Sequence, residues 1–425
     1  MVIDSIIKLK KLRENVGLGM PQLQEIQRRK LNALIRHACE NVPYYRNLFR
    51  EAGIKPDDVQ SVEDLARVPI TEKKVMRSLD RKEVLAANVD PKRCLAVFTS
   101  GSTGMPTHIY LTREDYECID LVYLRSFLEN GLSFLHKRAF ILDPHSFDTR
   151  RRWYQSLGLA RSVNISCFLE PEEQMRMLAD ARPDFIHGYP SSLGQVARLV
   201  AERGPRNGIR PAVVSTAAEV LHAKDRKRIA AAFGVMPFDR YAARECGNIA
   251  WECEKHNGYH INVDTLVVEF VKDNRHVMPG QRGDVVITNL HSYAMPFIRY
   301  RIGDLGVPSD KTCGCGRALP LMEIIEGRDE DFIVLKGGRR ISPMMVTGTL
   351  DHIPGIRQFR VIQENADSVV AWISAGKGFK PDTAVRVEEK LKEILGNGIG
   401  IVCREVDDIP REPSGKVRAV ISRLS

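Results

Sequence analysis

Thr99-Ser100-Gly101-Ser102-Thr103-Gly104-Met105-Pro106 is a run of small hydroxyl residues and glycines directly after the apolar residues 95–98. A strand opening into such a loop suits phosphate. Small residues let backbone N–H groups approach an anion, and the hydroxyls donate further hydrogen bonds. The Gly-Lys-Ser/Thr ending is missing, so this is not a Walker loop. A second cluster is rich in sulfur. Cys313 and Cys315 stand in Cys-Gly-Cys-Gly, and Cys253, His256 and His260 lie roughly fifty residues earlier. Two thiolates two positions apart, with a distant Cys/His pair, complete the tetrahedron that structural zinc prefers. His256 and His260 compete for one position. His260 is preferred, because it opens a strand that would hold its ring rigidly. Four protein ligands leave no open coordination position, so such a zinc would be structural.

The elements that must position these residues follow from periodicity. Between residues 90 and 240, short β-like runs at 95–99, 139–142, 185–186 and 213–216 read as buried strands. They alternate with helices at Pro171–Ala181 and Ala223–Phe233; the first has proline at its first position and Glu172 and Glu173 in its first turn. This alternation predicts an α/β layered domain. Residues 260–271 and 284–289 are more purely β and predict a small β-barrel-like part. Leu23, Ile26, Leu31, Leu34, Ile35 and Ala38 recur at helical spacing, an amphipathic helix over 22–39 that stops at Asn41-Val42-Pro43. A charged, glycine-punctuated boundary at 327–330 leads into strands at 358–363 and 368–373, a helix at Thr383–Leu395 and a strand at 399–406. The expected organisation is a large N-terminal domain over 1–327 and a small α+β cap over 328–425.

At 425 residues the chain is long for one core, which also predicts two domains. Hydrophobic residues make up 43% and charged residues 28%, ordinary values for a globular protein. No apolar run approaches the roughly 20 residues of a membrane span. The opening MVIDSIIKLKKL lacks the apolar block of a secretory signal, so cytoplasmic residence and no membrane insertion are expected. Nine cysteines, mostly scattered singly, argue for reduced thiols rather than a disulfide framework. The net charge of +9 is spread along the chain with only short clusters, at 150–152 and 336–340, and no RNA-binding aromatic signature accompanies it. No nucleic-acid partner is expected, and the basic surface suits anionic substrates. A basic nucleic-acid-binding protein is the alternative outside the enzyme class.

Thr99 to Pro106 resembles the phosphate-binding loop of the adenylate-forming superfamily, which includes acyl-CoA synthetases and peptide-synthetase adenylation domains. The lysine usual after the proline is Thr107 here. Further motifs follow in that superfamily's order. Ala217-Ala218-Glu219-Val220-Leu221 resembles its adenine-binding stretch, with alanines for glycines. Tyr241-Ala242-Ala243-Arg244-Glu245 resembles a Tyr-Gly-x-Thr-Glu motif, which implies Tyr241 at adenine and Glu245 on magnesium; Arg244 replaces a hydroxyl that contacts the α-phosphate. Ile298 to Asp304 resembles a Tyr-Arg-x-Gly-Asp motif, with Asp304 on the ribose hydroxyls. Gly327-Arg328-Asp329-Glu330-Asp331, followed by Gly337-Gly338, resembles the hinge into a mobile cap, with Arg328 facing ribose and phosphate and Glu330 as pivot. Pro410 to Lys416 resembles the C-terminal Gly-Lys motif, whose lysine bridges the carboxylate and α-phosphate during adenylation. Asn41 to Tyr45, the short length and Cys-Gly-Cys-Gly-Arg narrow the resemblance to the phenylacetate–CoA ligase-like branch, in the group named for capsular polysaccharide biosynthesis.

The resemblance implies an ATP-dependent, AMP-forming ligase that adenylates an aryl or other small organic acid and transfers the acyl group to CoA. An amine acceptor, giving an amide, is the alternative within the enzyme class. ATP, Mg²⁺ and CoA would serve the reaction beside the structural zinc, and a homodimer is compatible with it. Thr107, Ala242 and Arg244 motivate a further alternative, a non-catalytic nucleotide-binding relative. Phe140, His145, Trp153 and Tyr189 are the candidates for lining the acid pocket.

Overall fold

Proline sets the helix boundaries near the N-terminus. Met20–Asn41 ends where Val42 turns extended (φ −110°, ψ 111°), and Pro43 opens Pro43–Glu51. A residue before proline is pushed out of the helical region, whereas proline itself fits the first helical position. Met20–Asn41 buries Leu23, Leu31, Leu34, Ile35 and Ala38 of the stripe that the spacing defines, and half-buries Ile26. The computed structural model describes residues 2–98, 108–147, 153–203, 208–328, 331–336, 339–341, 343–350, 353–376, 378–396, 398–412 and 415–424. The loop residues Thr99, Ser100, Gly101, Ser102, Thr103 and Gly104, and the pivot Glu330, lie outside the described residues.

Two compact units form, each from two stretches of chain: Met1–His136 with Phe238–Ile325, and Lys137–Pro237 with Glu326–Ser425. In the first, strands run in the order Arg275–His276, Leu266–Lys272, Gly283–Asn289, Tyr300–Ser309, Leu321–Arg328, Tyr259–Ile261, Gly247–Glu252 and Phe238–Ala243. Leu266–Lys272, Gly283–Asn289 and Tyr300–Ser309 form an antiparallel meander. The β-run expected over 260–271 is two strands, broken by a turn in which Thr265 N and Oγ1 both donate to Asn262 O. Leu95–Phe98 corrects another expectation. It is no buried strand of the layered sheet, because among the described residues it pairs only with His108–Leu111 in a two-stranded ribbon, and Leu95 is exposed.

In the second unit, Ser162–Ser166, Arg138–Leu142, Phe185–Gly188 and Val213–Ala217 lie side by side, all parallel. Helices Pro171–Ala181 and Pro190–Arg203 connect successive strands, and Ala223–Phe233 follows the last of them. Ile141, Ile165, Ile186, Val214, Leu193 and Ile229 fill this core, and all six are fully buried. Here the expected α/β alternation is what forms. The second stretch carries its own sheet, in the order Gly400–Val406, Ser368–Ala375, Ile356–Asn365 and Val420–Ser422, under helices Pro343–Leu350 and Thr383–Leu395. Val361, Val369, Ala371, Ile373, Val387 and Leu391 are its centre. Among the described residues, no helix is long and apolar enough to cross a membrane.

One buried ion pair fixes the helices of the first unit onto its sheet. Helix Arg113–Glu129 starts at a capping box between Thr112 and Asp115 and presents Arg125, which is fully buried. Arg125 donates to Asp264 at 2.6 and 3.0 Å, to Asn262 Oδ1 at 2.7 Å and to Leu12 O at 3.0 Å. Asn15 on helix Val2–Val16 donates to the same Asp264 carboxylate at 2.9 Å. Asn262 also takes the Trp251 indole N–H at 3.0 Å, which fixes the strand that runs into Cys253. Burial alone would raise the Asp264 carboxyl, but Arg125, Lys30 and Asn15 hold it below its ordinary value. A carboxyl depressed in the folded state contributes stability above its unfolded pKa, about 3.9, and that stability is lost as pH falls through the folded value. Asp264→Ala strands Arg125 in the core and is expected to lower the unfolding free energy at neutral pH by about 3–5 kcal/mol. Urea denaturation checks this: the deficit should shrink below about pH 4, and an unchanged midpoint at neutral pH would contradict the role given to the pair.

Candidate active site and metal centre

The parallel strands of the second unit contain a topological switch. Arg138–Leu142 is followed in the chain by its neighbour on one side, Ser162–Ser166, whereas Phe185–Gly188 is followed by its neighbour on the other, Val213–Ala217. Connections that leave adjacent strands in opposite directions open a crevice at their carboxyl ends, where α/β sheets bind ligands. Asp143, Cys167, Tyr189 and Ala218-Glu219 all follow these carboxyl ends. The Tyr189 hydroxyl accepts the Asp143 N–H at 3.4 Å, and burial pushes the Tyr189 phenol up to about 12.

Glu219 gathers donors from two elements. Ser191 gives its N–H at 2.9 Å and its Oγ–H at 3.0 Å, from the first turn of helix Pro190–Arg203. A carboxylate there is favoured by the helix dipole. Val417 N–H is the third donor, at 2.8 Å. Desolvation still pushes the Glu219 carboxyl above its ordinary value, against the lowering by these donors. Ala218 directs the chain into this position with φ 74°. That left-handed conformation is natural for glycine and costs an L-residue roughly 1–2 kcal/mol.

The turn containing Lys416 is therefore seated on the ends of the parallel strands. Glu412 N donates to Lys416 O at 2.9 Å, and Gly415 N to Glu412 O at 2.8 Å. Arg411 Nη1 donates to Gly415 O at 2.9 Å and to Ser191 Oγ at 3.3 Å. Gly415 has φ 76°, and a Cβ there would lie 2.2 Å from Cys167 Sγ. Only glycine lets the turn come this close. Lys416 is half-buried.

The first unit brings together residues that lie far apart in sequence. Tyr241 on Phe238–Ala243 donates its hydroxyl to Asp304 Oδ2 at 2.7 Å. Burial, then the Asp304 charge, pushes the Tyr241 phenol well above its ordinary value. Glu245 is buried, with Tyr300 OH at 3.4 Å from its Oε1 and Asn289 Nδ2 donating to its backbone carbonyl at 3.0 Å. Its acceptor-only oxygens suit a hard cation. Arg244 beside it is exposed. Arg328 ends strand Leu321–Arg328.

Cys253, His260, Cys313 and Cys315 converge with their ligand atoms all within 4.8 Å of one another. Cys253 and Cys313 sulfurs are 3.6 Å apart, and Cys315 Sγ is 3.3 Å from His260 Nε2. Zinc bonds of about 2.3 Å to sulfur and 2.0–2.1 Å to nitrogen put tetrahedral S···S and S···N separations near 3.8 and 3.5 Å. The donor set fits that ion. Leu319 O, 3.3 Å from His260 Nδ1, orients the ring with Nε2 inward. His256 is set apart: it lies 3.4 Å from Glu252 Oε2 and stacks on Phe238. Arg317 anchors the Cys313–Cys315 turn through Glu254 at 3.0 Å and Glu129 at 3.3 Å.

Residues 333–423 match the CapK C-terminal domain. A phenylacetate–coenzyme A ligase of Thermus thermophilus is 27% identical over 449 residues, covering 95% of this chain and 97% of the relative. Protein CapK of Staphylococcus aureus is 20% identical, covering 98% of this chain and 92% of the relative. The chain is thus similar to phenylacetate–coenzyme A ligases and to protein CapK over nearly its whole length. The crystal structure of a 2-hydroxyisobutyryl-CoA ligase in the postadenylation state, in complex with 2-HIB-AMP, shares the fold of this chain. Its TM-score is 0.79 at 21% identity, covering 96% of this chain and 91% of that one.

Of the pocket candidates, Tyr189 stands at the crevice. His145 is exposed just beyond Asp143, Phe140 packs against the Phe185 and His187 rings, and the Trp153 side chain lies outside the described ones. Sequence reasoning missed Ser191, Arg411 and Cys167. Pro190 was the available signal for Ser191, since proline at a first helical position leaves free N–H groups directly after it. Ala218→Gly is expected to raise stability by up to about 1 kcal/mol, relief of the left-handed strain less the entropy glycine adds to the unfolded chain. Thermal denaturation checks this; a lower midpoint would show that the alanine is unstrained.

Proposed function

We propose that this chain is an ATP-dependent, AMP-forming ligase that adenylates a small carboxylic acid, aryl or otherwise, and passes the acyl group to coenzyme A. The observation that carries the reading is the seating of the Lys416 turn on Glu219 and Ser191, at the crevice end of the parallel strands. The similarity to phenylacetate–coenzyme A ligases over nearly the whole chain supports the same reaction class.

A carboxylate resists nucleophiles because it is anionic and its oxygen leaves poorly. In the proposed first step a carboxylate oxygen bonds to the ATP α-phosphorus as the bond to pyrophosphate breaks, giving an acyl-adenylate. In the second, the CoA thiolate attacks the acyl carbon and AMP departs. Lys416 would neutralise the two anions as they meet, a contribution that appears mainly in the transition state. Ala217, Ala218 and Glu219 would border adenine, with Tyr241 near it. Asp304 would accept the ribose hydroxyls, Arg328 would face ribose and phosphate, and residues 99–104 would cradle the phosphates. Arg244 would offer a cation at the α-phosphate in place of the usual hydroxyl. Glu245 would hold Mg²⁺, which when bound offsets phosphate charge. Cys253, His260, Cys313 and Cys315 would hold a structural zinc ion that ties their strand ends together. In this reading 1–327 is the adenylation domain, with the 266–309 meander its barrel-like part, and 328–425 is a cap that pivots at Glu330. The reaction is assigned to the cytoplasm, in keeping with nine unpaired cysteines.

Lys416→Ala is expected to lower acid-dependent ATP–pyrophosphate exchange on the order of 10²–10³-fold, measured with whichever of a panel of aryl, fatty and amino acids the wild type accepts. Full exchange by the variant would sink the role of Lys416, and ATP binding by the wild type without exchange on any acid would favour a non-catalytic nucleotide-binding protein. Mass spectrometry of products formed with CoA, hydroxylamine and amines identifies the acceptor, a thioester being expected. Elemental analysis should find about one zinc per chain, lost in Cys313→Ser together with thermal stability. Metal-free protein of unchanged stability would remove the zinc from the account.

A further inference from the structure

The segment that holds Lys416 leaves and returns to a single buried guanidinium. Arg360, on strand Ile356–Asn365, donates Nη2 to Pro410 O at 2.6 Å and Nε to Arg418 O at 3.0 Å. Arg418 lies two residues past Lys416 and makes a second set of bonds. Its Nη1 donates to Asp331 Oδ1 at 2.7 Å, and its Nε donates to Glu412 Oε1. Asp331 directly follows the pivot position in the chain, and its side chain is 10% exposed in this pair. Glu412 begins the tight turn whose last carbonyl belongs to Lys416. Arg418 thus joins the start of the C-terminal region to the turn that displays the lysine. A planar guanidinium can hold two carboxylates in a fixed geometry, whereas an ammonium on a flexible stem cannot.

We propose that Arg418 is a positioning residue for adenylation, locking the Lys416 turn to Asp331 so that the lysine occupies one place relative to the pivot segment. The proposal rests on the adenylation reading of Lys416 and adds a residue which that reading does not use. Arg418 points its guanidinium at protein carboxylates, so its effect is on where Lys416 stands rather than on the reacting atoms. Misplacement of a charged group by about 1 Å costs on the order of 10²-fold in rate.

The test uses the full-length protein with Arg418→Gln, Arg418→Lys and Asp331→Asn. Arg418→Gln should lower kcat for ATP–pyrophosphate exchange on the order of 10²-fold while KM for ATP and for the acid stays at the wild-type value. Arg418→Lys should recover only part of the loss, and Asp331→Asn combined with Arg418→Gln should add little to either alone. A second readout is independent of activity. Hydrogen exchange should quicken at amides of residues 410–418 in Arg418→Gln while the strand Ser368–Ala375 keeps wild-type protection. Wild-type kcat, or wild-type protection over 410–418, would overturn the proposal, as would a loss confined to KM. If Arg418→Gln does not fold, Asp331→Asn gives the same readings. An active Lys416→Ala protein would instead remove the function assigned to the lysine, and the hydrogen-exchange result would still judge whether Arg418 holds its turn.

Discussion

A single carboxylate, Glu219, holds the C-terminal turn at the place where a parallel sheet can bind a ligand. Its oxygens take the backbone N–H and the hydroxyl of Ser191, in the first turn of one helix, and the amide of Val417. Three other features of this unit serve that seat. The reversal of strand order opens the crevice, the left-handed Ala218 aims the carboxylate, and Gly415 brings the turn within contact of Cys167. Desolvation works against the charged form of Glu219, so the seat depends on its donors staying in place.

The molecule uses buried and half-buried charges as long-range ties. Arg125 with Asp264, Arg299 with Glu269, and Arg418 with Asp331 each join segments distant in sequence. Arginine suits this use because its fork satisfies several acceptors at once and stays protonated when buried. Such pairs add little net stability relative to apolar packing, but they are costly to break from one side. Their value here is in fixing strand ends and turns to one position.

Local chemistry was legible in the sequence, and distant partnership was not. Pro171–Ala181, Ala223–Phe233 and Thr383–Leu395 are helices at the bounds that their sequences mark, because proline, first-turn acids and apolar spacing are all local signals. His260 could be chosen over His256 because a strand holds a ring where a turn does not. The apolar run ending at Phe98 was misleading: a short ribbon and a buried strand look alike until the pairing partner is known. Motif order pointed to Glu219 and Lys416, yet nothing in local spacing says that Val417 binds Glu219 or that Arg418 binds Asp331. Long polar side chains choose partners through the tertiary fold, so Arg360 and Arg418 became visible only in three dimensions.

The most direct measurement is a crystal structure of the full-length protein with an acyl-sulfamoyl adenosine, a stable mimic of an acyl-adenylate. The account predicts the adenine beside Ala217, Ala218 and Glu219, with the Lys416 ammonium against the sulfamate. A mimic bound elsewhere, with the carboxyl ends of the parallel strands empty and Lys416 turned away, would contradict it.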